Sequence, residues 1–170
     1  MNILKIIKKN KVLSILLQFI IVLTVYLVIR AWQSVDNIKG QAPVIFATSL
    51  NNEKIDSRHF QTKPLLIHFW ATWCPICQFE NNNIENIAND YQVISIASWS
   101  GGAAQVRQYL RDEQLNFPIV IIDENAEWAK VFAVKGVPTS FIVDKKGEIQ
   151  FIEKGYTSEI GLRLRLWWLQ

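Results

Sequence analysis

The chain alternates between runs that are apolar on every side and runs that are apolar on one side only. The first run is extreme: Val12 to Ile29 is 18 consecutive residues without a charge, most of them Leu, Ile, Val or Phe. As a helix it spans about 27 Å at about 1.5 Å per residue, close to the roughly 30 Å of bilayer hydrocarbon. Later apolar runs are short. Pro64–Trp70, Val93–Ala97 and Ile119–Ile122 are nearly all apolar, as strands covered on both faces are. Between the first two, Pro75–Tyr91 carries Ile76, Phe79, Ile84, Ile87, Ala88 and Tyr91 at helical spacing, which predicts an amphipathic helix.

The remaining segments complete an α/β pattern. Val44–Ser49 reads as a strand followed by a turn at Asn51-Asn52, and Ala103–Arg111 as a helix after Gly101-Gly102. Glu124–Phe132 reads as a short helix. Ser140–Val143 and Ile149–Glu153 form a hairpin around Lys145-Lys146-Gly147. Strand, helix and strand from Pro64 to Ala97 make a βαβ unit with parallel strands. The last segment, Ser158–Leu169, fits two patterns. Leu162, Leu164, Leu166 and Trp168 alternate as in a strand, while Ile160, Leu164, Trp167 and Trp168 fit a helix packed on the sheet. After a completed hairpin a closing helix is expected, packed on the core with Arg163 and Arg165 as its solvated face; contact of these arginines, beside Trp167-Trp168, with lipid headgroups is the alternative. The fold class is therefore α/β, a mixed sheet flanked by helices behind an N-terminal membrane helix.

Charge orients that first helix. Lys5, Lys8, Lys9 and Lys11 precede the apolar run with no acid among them, and positive flanks stay in the cytoplasm. The expected layout is a basic cytoplasmic tail at 1–11, an anchor at 12–32 in contact with membrane lipid, a linker at 33–42, and a domain at 43–170 outside the inner membrane, in a periplasm-like space. A cleaved signal peptide would need a shorter apolar region and a small-x-small site, which Val28-Ile29-Arg30-Ala31-Trp32 does not offer. Beyond Arg30 the acids outnumber the bases, so no basic footprint for nucleic acid is expected.

Only two cysteines occur, Cys74 and Cys77, two residues apart. Their bridge would close too small a loop to stabilise the fold much, so its value is chemical. They stand where the strand ending at Trp70 gives way to a helix starting at Pro75. Free amides and the helix dipole favour an anion there, which lowers a thiol pKa. Pro75 suits the first helical position. Cys74 at the cap is expected to face outward and attack a disulfide; Cys77, one turn inside, is expected to resolve it. Zinc would need about four ligands, and only His59 and His68 could add to the pair. Covalent haem attachment would need a histidine at position 78, where Gln78 stands. No metal and no dissociable cofactor is expected.

Trp70-Ala71-Thr72-Trp73-Cys74-Pro75-Ile76-Cys77, with Glu80 and Gly136-Val137-Pro138-Thr139, resembles the membrane-anchored thioredoxin-fold proteins of the TlpA/ResA type. The resemblance covers about residues 42–170 and implies a thioredoxin-like fold with a cis Val137–Pro138 bond beside the cysteines. It implies an active-site role for Glu80, which shares a helix face with Cys77; a solvated glutamate near a helix start is the alternative. Trp73, Pro75 and Val137 are expected to meet the substrate, Trp70 and His68 to pack, and Trp99 to border the site. The implied function is thiol–disulfide exchange with protein partners, as a reductant fed by a membrane thiol–disulfide donor, in a cytochrome c maturation or copper-tolerance type of pathway. An oxidase or isomerase, or a tethered binding module with an incidental CxxC, remains open.

Overall fold

The computed structural model describes residues 11–34 and 40–170; of residues 11, 12 and 27–34 it describes the backbone alone. The expected tail at residues 1–10, the linker residues 35–39, and the side chains of Arg30 and Trp32 lie outside the described residues. The chain divides into two units. The first holds one helix, α1 (Lys11–Ser34). Its described side chains from Leu13 to Tyr26 are mostly exposed and apolar. Among the described residues, no helix is long and apolar enough to cross a membrane.

The second unit is built on a sheet of six strands. In chain order its elements are β1 (Gly40–Gln41), β2 (Phe46–Thr48), β3 (Lys54–Asp56), a 3-10 turn (Ser57–Phe60), β4 (Leu65–Trp70), α2 (Pro75–Ala88), β5 (Gln92–Ser98), α3 (Ala103–Asp112), β6 (Val120–Asp123), α4 (Glu127–Val131), β7 (Thr139–Val143), β8 (Glu148–Lys154) and α5 (Glu159–Trp168). The sheet order is β1-β8-β7-β4-β5-β6, with β2 and β3 as a separate hairpin. Strands β4, β5 and β6 are parallel; β7, β8 and β1 run antiparallel to their neighbours. The βαβ unit and the closing hairpin thus stand as the sequence predicts.

β4 is buried along its whole length. Its alternation feeds two cores. Leu66 and Trp70 face the core under α2, α3 and α5, with Ile84, Val106, Leu162 and Leu166. Leu65, Ile67 and Phe69 face the core under α4, with Phe132 and Phe141. His68 is fully buried, its Nδ1 is 2.9 Å from Ser140 Oγ, and burial pushes its pKa down to about 3. It stays neutral and packed, as expected. Trp70 contacts the rings of Tyr109 and Phe117 at 5.4 and 5.7 Å. Trp70→Ala should cost about 3–5 kcal/mol of stability, because the cavity cannot collapse between three elements. Urea denaturation with the disulfide intact measures it.

Five expectations about the fold need correction. First, α5 packs through Leu162 and Leu166, while Ile160, Leu164, Trp167 and Trp168 lie exposed. Apolar residues occur on both sides of this helix, so periodicity alone selects the wrong face. Second, Arg163 and Arg165 do not form a solvated face. Arg163 pairs with Asp90 at 2.6 Å and Glu159 at 2.7 Å, and Arg165 pairs with Glu153 at 2.9 Å. Third, α2 turns Cys77, Glu80 and Asn81 inward and leaves Ile76 and Phe79 exposed. It ends at Ala88, three residues before Tyr91. Fourth, the sheet takes in Gly40 and Gln41, which pair with β8 although the sequence places them in a linker. Fifth, α4 is shorter than expected. Ala126 is left-handed at φ 57°, and the Asp123 carboxylate accepts the amides of Trp128 and Ala129, fixing the helix start there.

Candidate active site

The site forms where β4 ends. Trp70 closes the buried strand, and the chain turns through Ala71-Thr72-Trp73 into α2. The turn is held from the neighbouring strand: the Thr72 amide donates to Ser100 Oγ at 3.0 Å, and Ser100 Oγ donates to the Ser98 carbonyl at 3.0 Å. Trp73 is 62% exposed, and its indole N–H donates to the Trp99 carbonyl at 2.8 Å. Trp99 itself is left-handed at φ 51°. Trp99 therefore does border the site, and it acts through its backbone oxygen.

Cys74 is the N-cap of α2, and Pro75 occupies the first turn. The two cysteines are joined as a disulfide with their Cα atoms 5.3 Å apart. The Cys77 amide points at Cys74 Sγ at 3.2 Å. That N–H is one of the four a helix start leaves without an intrahelical partner, so the cap sulfur is its natural acceptor. An N–H at a helix start favours negative charge on the sulfur it faces. Cys74 does not face outward as expected: it is only 4% exposed, against 0% for Cys77. The loop before β7 lies beside it, with the Val137 carbonyl oxygen 3.7 Å from Cys74 Sγ.

That loop carries the cis Val137–Pro138 bond the resemblance implies. Two ties hold it. Thr139 Oγ1 donates to the Gly136 carbonyl at 2.8 Å, and the Gly155 amide donates to the Pro138 carbonyl at 2.9 Å. Cys74, Cys77, Pro75, Val137 and Pro138 thus meet at one end of the sheet, with Trp73 at the rim.

Glu80, three residues beyond Cys77 on α2, is fully buried, which excludes the solvated alternative. Its Oε1 accepts the Thr157 amide at 3.2 Å, and its Oε2 is buried without a hydrogen-bond partner. Burial pushes its carboxyl up to about 7; the Thr157 amide opposes this, and the nearby Glu153 charge adds to it. A carboxyl so placed exchanges a proton near neutral pH. The sequence offers no signal for Thr157 or Ser100. One acts through a backbone amide and the other through a contact with a distant turn.

The comparisons agree with this geometry. Residues 36–161 match the Redoxin family model. A thioredoxin-like protein of Haemophilus influenzae is 35% identical over 111 residues, which span 65% of each chain. Thiol-disulfide oxidoreductase ResA of Bacillus thuringiensis is 31% identical over 132 residues, covering 70% of this chain and 71% of that one. A thiol:disulfide interchange protein of Chlorobium tepidum, 21% identical, shares the fold at a TM-score of 0.66, over 79% of this chain and 98% of that one. The chain belongs to the Redoxin family and is a thiol–disulfide oxidoreductase of the ResA type.

Proposed function

We propose that Cys74 is the attacking thiolate and Cys77 the resolving thiol in reduction of protein disulfides outside the cytoplasm. One observation carries the roles: the Cys77 amide is aimed at Cys74 Sγ at the start of α2, so the helix start stabilises negative charge on Cys74. The Cys74 thiolate attacks a partner disulfide, forms a mixed disulfide and releases one partner thiolate. Cys77 then gives its proton to the Glu80 carboxylate and attacks the Cys74 sulfur. The Cys74–Cys77 disulfide forms, the second partner thiolate leaves, and two electrons have passed to the partner. Pro138, Val137, Pro75 and Trp73 shape the surface on which the partner strand docks. The dithiol is restored by a membrane thiol–disulfide donor.

Residues 12–32 are the proposed membrane anchor. The uncharged run from Val12 to Ile29 supports it, since as a helix it spans about 27 Å at about 1.5 Å per residue, close to the roughly 30 Å of bilayer hydrocarbon. The exposed apolar side chains of α1, Phe19 and Val22 among them, suit lipid better than water. The four lysines before the run support a domain outside the inner membrane.

The test is Cys77→Ala in the native host. The variant should accumulate mixed disulfides that depend on Cys74 and dissolve on reduction. The trapped proteins would include substrates and the donor. No adducts, or adducts that persist in the Cys74→Ala/Cys77→Ala double variant, would overturn the assignment.

A further inference from the structure

The outward face of α5 carries four large apolar side chains away from the redox pair. Ile160, Leu164, Trp167 and Trp168 recur at i, i+4, i+7 and i+8, and they are 72, 60, 62 and 74% exposed. Leu162 and Leu166 on the other side already hold the helix to the sheet, so the ridge is not needed for folding. Isolated exposed apolar residues are ordinary, but four neighbours on one short helix are not.

The arginines beside the ridge are held in ion pairs. Arg163 is paired with Asp90 and Glu159, and its guanidinium lies 6.0 Å from the Tyr91 ring centroid. Arg165 is paired with Glu153, and it lies 5.8 Å from the Phe151 ring centroid. The ridge therefore presents apolar area flanked by ion-paired groups.

Its tryptophan end sits where the chain enters the domain. Lys145 Nζ, in the β7–β8 turn, donates to the Gln170 carbonyl just beyond α5. The same turn holds β1: the Ala42 amide donates to the Gly147 carbonyl at 2.7 Å, and Gln41 Nε2 donates to the Lys146 carbonyl at 3.3 Å. This turn is at the opposite end of the sheet from Cys74, because Leu65 pairs with Val143 while Phe69 pairs with Thr139.

We propose that the Ile160–Leu164–Trp167–Trp168 ridge docks on the surface of a lipid bilayer. The inference rests on the reading of residues 12–32 as an anchor. From Ile29 to Gly40 the chain can span at most roughly 35–40 Å, so an anchored domain stays in continual reach of lipid. Tryptophan favours the headgroup level, and a helix with one apolar face lies in the interface plane. A second copy is the rival occupant. The four side chains expose roughly 500 Å², short of the about 800 Å² per partner of a stable interface. Docking through this ridge leaves Cys74, Val137 and Trp73 uncovered for protein partners.

The test uses the full chain reconstituted in phosphatidylcholine vesicles whose acyl chains carry bromine, with tryptophan emission as the readout. The chain has seven tryptophans. With docking, Trp32, Trp167 and Trp168 are quenched, three of the seven; in Trp167→Ser/Trp168→Ser only one of the remaining five is. For equal emitters the quenched share then falls about twofold in the variant. Without docking the share rises slightly, because two unquenched emitters have been removed, and that rise overturns the proposal. Raised salt should leave the wild-type share unchanged; its loss would mark a charge-driven contact and overturn the apolar one. A quenched share that does not fall in the variant, together with crosslinks between copies at the ridge, would mark a second copy and do the same. A chain washed from the vesicles at alkaline pH fails the anchor and the docking together. A chain retained with no fall in share fails the docking alone. Disulfide exchange with a soluble substrate should be unchanged in the variant, separating either failure from the redox reading.

Discussion

Cys74→Ala should abolish thiol–disulfide exchange, lowering the rate on the order of 10³-fold or more, because no second sulfur can take its place. Cys77 is fully buried, and its sulfur lies inside the first turn of α2. The comparison that gives the result its meaning is Cys77→Ala. That variant should still react once, stoichiometrically, with a small disulfide, and then stop. Cys74→Ala should not react at all. The substitution also removes the sulfur that accepts the Cys77 amide, a cap contribution of about 1 kcal/mol. Circular dichroism and thermal unfolding therefore belong beside the kinetics. A folded Cys74→Ala protein that retained stoichiometric reactivity would reverse the roles of the two cysteines.

Glu80→Gln should stabilise the folded protein at pH 8 and leave it unchanged at pH 4. Burial raises the Glu80 carboxyl from its ordinary 4.5 to about 7. Below about 4.5 it is protonated in both the folded and unfolded chain, and the pH dependence is flat. Between about 4.5 and 7 the unfolded chain gives up the proton while the folded chain keeps it. The folded state then binds more protons, so stability falls as pH rises; above about 7 both forms are ionised and the fall ends. The full difference is about 3 kcal/mol. Glutamine has nearly the same shape, can still accept the Thr157 amide through its oxygen, and carries no such slope. Urea denaturation of both proteins, disulfide intact, at pH 4 and 8 measures the gap; parallel stabilities across that range would refute the raised pKa. The same variant should lose the inflection near pH 7 in the resolving step. A buried carboxyl that ionises near neutral pH weakens the fold at that pH, the kind of cost that proteins bear at sites of function.

The two cysteines and the strand–helix junction were readable because their chemistry is local. A buried run, a proline at the first helical position and a cap residue are neighbours in the chain. The βαβ unit was readable for the same reason: its apolar runs are short, uniform and separated by helical spacing. Two of the errors fall where apolar residues do not point inward. Ile76 and Phe79 on α2, and Ile160, Leu164, Trp167 and Trp168 on α5, look like core by composition and lie on the surface. Periodicity assumes that apolar means buried, and that assumption fails where both sides of a helix carry apolar residues. Ile76 and Phe79 line an open hollow of about 490 Å³ with Tyr156, next to the redox motif. The burial of Glu80 was legible only as a possibility. What fixes it is the arrival of Thr157, 77 residues later, and no local pattern encodes that meeting.

The short passage from β8 into α5 has a consequence for how this fold can vary. Gly155, left-handed at φ 80°, holds the Pro138 carbonyl, and two residues later the Thr157 amide holds Glu80. Connecting loops usually tolerate insertion, and they diverge fastest among relatives. Here a single added residue would shift the register of both contacts at once, detaching the proline loop and the carboxyl together. Length variation should therefore be excluded from this loop and accumulate at the Asn51-Asn52 turn, which touches neither. The connection behaves as a fixed gauge, setting the spacing between the two sides of the redox pair.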